Sequence, residues 1–195
     1  MTSCHRGQEI YGPDQPAEQW YCMMSGLARK YALAPGGRRQ IVDFLLPGDF
    51  FGFTARDHHV FAVEAVLEGT IVARYPRRRL EMVADTDPEL ARMLREVAFE
   101  AMSRLQARIL ILGRTTAVEK VGSFLVEMAE RLPEGTAEVV TLPMSRYDIA
   151  DYLALSVETV SRALTDLKHS GAITLAKTRR VKINDRAALE EAGDF

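Results

Sequence analysis

Glu158, Ser161, Arg162 and Thr165 carry side chains able to read nucleic-acid bases, and they recur within SVETVSRALTDLKHSG. Wound at 3.6 residues per turn, they fall on one side of a helix. Val160, Leu164 and Leu167 fall on the other. The arginine fork matches O6 and N7 of guanine, and the carboxylate can accept from N4 of cytosine. The serine is small enough to let the helix approach a base edge or a thymine methyl. A compact polar set near a helix start, with apolar anchors behind it, is what a recognition helix requires. A solvated face on an ordinary helix pair is the competing reading, and the bare motif does not separate the two.

The neighbouring elements favour the first reading. Ser145 to Gly171 reads as two helices around a three-residue turn. Ser145 can cap the first helix, with Asp148 at capping-box spacing, and Ile149, Ala150 and Leu153 as its inner face. Ser156 can cap the second. Gly171 follows Lys168 and His169 as a helix stop, with cations where the dipole favours them. Ala154 stands at the turn where glycine would relax a left-handed residue, a cost of about 1 kcal/mol if φ is positive. Beyond Gly171, Ala172–Leu175 and Val181–Ile183 read as a hairpin whose polar turn holds Lys177, Arg179 and Arg180. From Ser156 to Arg186 there are seven Lys/Arg against three Asp/Glu. Such a basic wing suits the phosphate backbone, which supplies non-specific affinity, while base contacts choose the sequence. Candidate backbone contacts are Ser145, Arg146, Ser156, Thr159, Thr165, Lys177, Arg179 and Arg180. Candidate base contacts are Glu158, Ser161 and Arg162.

The chain has 195 residues, 47% hydrophobic content and a net charge of −2, so a nucleic-acid footprint must be local. Two cysteines, Cys4 and Cys22, are too few for a disulfide framework, which suits a reducing cytoplasm. No apolar run reaches the length of a membrane span, and the N-terminus lacks a signal-peptide core. Residues 1–85 form a β-rich part. There Trp20–Met24, Leu27–Leu33, Gln40–Leu46, Val60–Leu67 and Thr70–Tyr75 read as strands between Gly/Pro turns, as in a small antiparallel barrel or sandwich. Residues 86–114 hold one long helix, Asp87–Gly113, opened by a cap and a proline. Leu90, Leu94, Val97, Ala101, Leu105, Ile109 and Leu112 make an apolar stripe along it. The stripe is expected to meet its twin in a second subunit; an intrachain core helix is the alternative. Residues 115–195 form the third part. Its first helix, Ala117–Leu132, has Val121, Phe124, Leu125 and Met128 as core face and leads into the loop Pro133–Ala137.

A β domain, a long helix and a winged helix-turn-helix in this order resemble the CRP/FNR family of bacterial transcription regulators. The resemblance is strongest at LPMSRYDIADYLALSVETVSRAL (Leu142–Leu164), where Glu158, Ser161 and Arg162 match the family's E-x-x-S-R pattern. GRRQIVDFLLPGDFFG (Gly37–Gly52) looks like its β-roll segment. EMAERL (Glu127–Leu132) and HVFAVEAV (His59–Val66) are similar to the FixK-like subgroup. The fold class implied is α+β: an N-terminal β-roll, a long dimerisation helix and a C-terminal winged helix-turn-helix. The resemblance further implies a homodimer, double-stranded DNA and RNA polymerase as partners, and a palindrome of the form TTGAT-N4-ATCAA. Val157 and Ser161 replace the arginine and glycine of the CRP branch, which favours the FNR/FixK half-site. FixK-like proteins typically activate genes of low-oxygen or nitrogen-oxide metabolism.

The signal is less legible. Cyclic-nucleotide sites of the family use Gly-Glu and Arg-Ser/Thr pairs. Aligning on Ala62 puts Phe53 at the glutamate and Val60 and Phe61 at the arginine pair, so no cyclic nucleotide is expected. An iron–sulfur cluster needs four thiolates. Cys22 reads as a core residue, and Cys4, near the terminus, as open to oxidation. His58 and His59 read as a polar turn rather than metal or haem ligands, so no metal or cofactor is expected. The chain also begins close to its first expected strand, as if the β-roll were reduced. Control through protein abundance is then the leading expectation, with an effector-requiring ligand or haem sensor as the alternative. An enzyme has little support: Asp148 and Asp151 are explained by capping and solvation, and no nucleophile with a neighbouring base is found.

Overall fold

A computed structural model describes residues 1–132, 139–177 and 179–191, with only the backbone of Lys177 and Glu191. The loop expected at Pro133–Ala137 lies outside the described residues. Two compact units divide the chain, Met1–Gln106 and Ala107–Phe195.

The first unit is a roll of two four-stranded antiparallel sheets. One has the order β1-β8-β3-β6, with β1 Thr2–Cys4, β3 Gln19–Ser25, β6 Phe50–Phe51 and β8 Thr70–Pro76. The other has the order β2-β7-β4-β5, with β2 Glu9–Tyr11, β4 Ala28–Leu33, β5 Arg39–Leu45 and β7 Ala62–Ala65. Inward residues of both sheets, among them Cys4, Tyr11, Met23, Leu45, Val63 and Val72, make the core. Two strands precede the first expected one, Trp20–Met24: β1 pairs with β8 and β2 with β7. These three-residue strands are too short for alternation to announce them, and their backbone partners lie far along the chain. Gly52 has φ +92°, and a Cβ there would stand 2.8 Å from the Tyr21 ring. Only glycine permits that approach. A short polar helix, α1 Arg77–Ala84, buries none of its residues, so no periodicity revealed it.

The long helix α2 spans Pro88–Gly113. Asp87 Oδ1 accepts from the backbone N–H of Glu89 (3.0 Å) and Leu90 (3.1 Å), the cap that the Asp-Pro pair predicts. Leu90, Leu94, Val97 and Ala101 are half-buried within the chain. Arg104 fastens the helix to the roll through Asp49, 3.4 Å away. Further along the stripe Leu105 (41% exposed) and Ile109 (67%) are open, as is Met102.

In the second unit, α3 Ala117–Arg131 opens with a reciprocal cap between Thr116 and Glu119. It packs against α5 Val157–His169, which also packs against α4 Arg146–Leu153. A three-stranded sheet, β10-β11-β9, completes the unit: β9 Val139–Thr141, β10 Ile173–Lys177 and β11 Arg180–Ile183. The hairpin β10–β11 was expected; β9, paired with β11, was not. A final short helix, α6 Arg186–Glu191, seats Leu189 in the core.

Candidate nucleic-acid interface

Ser145 and Asp148 cap α4 reciprocally, and Ser156 Oγ caps α5 by accepting from the Thr159 N–H at 3.1 Å. Between them, Ala154 adopts φ 54° and ψ 42°, the left-handed conformation expected for the turn. Val160, Ala163, Leu164 and Leu167 are buried. Glu158, Arg162 and Thr165 are exposed, and Ser161 and Thr159 half-exposed. The helix therefore divides into an anchored face and an open polar face, as its spacing requires.

The open face is ordered by its own hydrogen bonds. Ser156 Oγ lies 2.9 Å from Thr159 Oγ1, and Thr165 Oγ1 donates to the Ser161 carbonyl at 2.9 Å. The Glu158 carboxyl is held below its ordinary range. Its own N–H at the helix start is the largest cause, then the Ser156 hydroxyl, with the Arg162 charge contributing. It is thus an acceptor of fixed charge at neutral pH, one turn from a guanidinium.

Ser145 and Arg146, half-buried, stand at the start of α4, and Arg179 and Arg180 are exposed in the hairpin. Arg179 Nη1 donates to the Pro143 carbonyl at 3.4 Å, fixing the hairpin next to the α4 entry. The side chain of Lys177 lies outside the described residues. Two exposed polar residues were missed: Tyr147, 69% exposed in the first turn of α4, and Lys182, outward like Arg180 on β11. The alternation of Arg180-Val181-Lys182-Ile183 was the signal for the second.

The sensor-like part departs from expectation at three points. Cys4 is 1% exposed and lies opposite Thr70 in the sheet, and burial raises its thiol pKa, so it is a core residue rather than an accessible thiol. Cys22 is buried as expected. With two cysteines in the chain, both in strands of the roll, a four-thiolate cluster has no ligand set. His58 is exposed, but His59 is 4% exposed and stacks on Tyr11 with centroids 3.8 Å apart, so only His58 fits a solvated turn. His59 Nε2 is buried without a hydrogen-bond partner among the described residues.

Val60 and Phe61 line a small cavity of about 80 Å³ with His59 and Phe53, and Lys30 supplies a cation there that sequence reasoning missed. Its ammonium sits 4.8 Å from the centre of the Phe61 ring. Lys30 and Phe53 also line a cavity of about 210 Å³ beside Ala101, Met102 and Leu105 of α2.

A β-roll, a long helix and a winged helix-turn-helix presenting Glu158 and Arg162 outward define a DNA-binding transcription regulator. The comparisons agree: residues 119–192 match the Crp-like helix-turn-helix domain and residues 1–87 the cyclic nucleotide-binding domain. The chain belongs to the CRP/FNR family and is a FixK-like regulator. It is 48% identical over 189 residues to the nitrogen fixation regulation protein FixK of Azorhizobium caulinodans, covering 94% of this chain and 75% of that one. The FixK protein of Rhizobium meliloti is 42% identical over 183 residues, covering 94% of this chain and 82% of the relative. The crystal structure of FixK2 from Bradyrhizobium japonicum superposes with a TM-score of 0.91 at 40% identity, covering 100% of this chain and 96% of that one.

Proposed function

We propose that this regulator acts as a homodimer on a palindrome of the form TTGAT-N4-ATCAA and there assists RNA polymerase as an activator. The observation that carries this reading is the exposed face of α5, where Glu158, Ser161 and Arg162 stand together over a buried apolar anchor. Arg162 reads a guanine by its fork, Glu158 accepts from a cytosine amino group, and Ser161 permits close approach. Ser145, Arg146, Ser156, Thr159 and Thr165 engage the backbone around α4 and α5, and Arg179, Arg180 and Lys177 do so from the hairpin. Two such helices, one per subunit, enter successive major grooves about 34 Å apart. The subunits meet along α2, where Leu105 and Ile109 are open and Leu90, Leu94, Val97, Ala101 and Leu112 continue the stripe. Low-oxygen or nitrogen-oxide metabolism is the setting that the family resemblance implies, and the FixK relatives are nitrogen fixation regulation proteins.

Fluorescence anisotropy with labelled TTGAT-N4-ATCAA and scrambled duplexes tests the reading. Saturable binding at least about a thousandfold tighter on the palindrome is expected. Equal affinity for both duplexes overturns it. The His59 ring nitrogen, buried without a hydrogen-bond partner among the described residues, and the Lys30 cation beside a cavity favour a second reading, in which a small ligand gates binding. Repeating the titration with oxidant, nucleotide and haem distinguishes the two.

A further inference from the structure

Arg108 is a buried charge on α2, 7% exposed, and it packs inside the second unit. Its Nη2 donates to the Tyr152 carbonyl at 2.8 Å, and its guanidinium carbon lies 4.0 Å from the centre of the Tyr152 ring. The Tyr152 hydroxyl donates to both Glu127 carboxylate oxygens at 3.0 and 3.1 Å. Glu127 in turn pairs with Arg131 at 3.0 Å. Tyr152 is 1% exposed and its ring meets that of Phe124.

The place of that carbonyl matters. It lies in the last turn of α4, where carbonyls lack intrahelical partners and the helix end carries partial negative charge. Two residues later, left-handed Ala154 sets the angle at which the chain enters α5. A guanidinium at such a buried position is costly to desolvate, and an apolar side chain of similar volume would stabilise the fold as well or better. What the arginine adds is direction. Its charge-assisted bond fixes the Tyr152 carbonyl and its guanidinium covers the Tyr152 ring, while Glu127 of α3 holds the hydroxyl of that ring.

We propose that Arg108 is a positioning residue that keys the recognition helix to the long helix, and thereby sets the half-site spacing the dimer accepts. It does so without a base contact of its own. The inference rests on the palindromic, dimeric reading above. In that arrangement the last turns of α2, from Ala107 onward, carry Ile109 of the subunit contact, so a fixed register between them and the α4–α5 turn, all within the second unit, sets how far apart, and at what rotation, two α5 helices present themselves.

The test uses the full chain and three palindromes: the N4 duplex and two whose spacers are one base pair shorter or longer. A fourth duplex carries a single half-site. Each added base pair turns one half-site by about 35° relative to the other. The unsubstituted protein is expected to favour N4 by about tenfold or more. Arg108→Met should remain a dimer by sedimentation and keep half-site affinity within about twofold, while its N4 preference shrinks to about threefold or less. If Arg108→Met does not fold, Arg108→Lys carries the test. It keeps a cation over the ring but lacks the fork, and the same flattening is expected.

A folded variant that retains the full N4 preference overturns the proposal. So does an equal loss on half-site and palindromes accompanied by a lower melting temperature, because that is the mark of a merely structural role. A protein without substitutions that ignores every palindrome overturns the dimeric reading beneath it, and is recognised before any variant is measured.

Discussion

Ser145 and Asp148 close the first turn of α4 from both ends: the Ser145 N–H donates to Asp148 Oδ2 at 3.0 Å, and the Asp148 N–H donates to Ser145 Oγ at 3.2 Å. The serine hydroxyl also donates to the same carboxylate oxygen at 2.6 Å. Its proton is thereby engaged within the chain, so at a phosphate Ser145 would offer chiefly its position at the helix entry. Asp148 is 3% exposed. Asp148→Ala leaves the Ser145 N–H without its acceptor and should destabilise the second unit by about 1–2 kcal/mol. Urea unfolding followed by circular dichroism measures this; an unchanged midpoint would show the cap to be dispensable.

Ala154 bears the strain of the turn. At φ 54° its Cβ crowds the following carbonyl, a penalty that glycine avoids. Ala154→Gly should therefore raise stability by up to about 1 kcal/mol, reduced by the greater freedom of glycine in the unfolded chain. The melting temperature reports the net sign, and a clear decrease would mean that the alanine methyl contributes packing which its exposed position does not suggest.

The two arginine classes should separate by salt and by sequence. Arg162→Ala should lose about 1–3 kcal/mol on cognate DNA and relax base choice at one position of each half-site. Arg180→Ala should weaken all duplexes alike and reduce the slope of log K against log salt by about one per subunit. Titrations on single-base variants at several salt concentrations measure both. Equal losses on cognate and scrambled DNA for Arg162→Ala would remove it from base reading.

The two ends of the α2 stripe should respond differently to charge. Ile109 is 67% exposed, so Ile109→Glu should separate subunits while leaving each one folded. Val97 is half-buried within the chain, so Val97→Glu should also lower the melting temperature by several degrees, about 1–3 kcal/mol of lost burial. Sedimentation with parallel melting curves resolves the two. An Ile109→Glu protein that sediments as a dimer at low concentration would place the subunit contact elsewhere.

His59 should make the roll acid-sensitive. Burial, with the Lys30 charge facing it, holds the imidazole pKa below its ordinary 6.5. The unfolded chain therefore binds a proton that the folded chain resists. This contribution is absent above 6.5 and grows as pH falls toward the folded value, so stability should drop on acidification. His59→Phe keeps a ring on Tyr11 and should lessen the difference between urea midpoints at about pH 7.5 and about pH 5.5. An identical difference in the variant would assign the acid sensitivity to other groups.

Local sequence determined what depends on near neighbours. The caps at Ser145, Ser156 and Asp87, the turn at Ala154 and the two faces of α5 each follow from residues within one or two helical turns, so periodicity and capping chemistry suffice to see them. Tertiary structure decided whatever depends on a distant partner. The strands at Thr2–Cys4, Glu9–Tyr11 and Val139–Thr141 exist because other strands offer them hydrogen bonds. Cys4 and His59 are core groups because both sheets close over them. Lys30 meets Phe61 just before the start of the neighbouring strand of its own sheet, and Arg108 meets Tyr152 across 44 residues of chain. A contact between residues so far apart leaves no period and no spacing in the chain, because its energy arises only once folding has brought the two surfaces together.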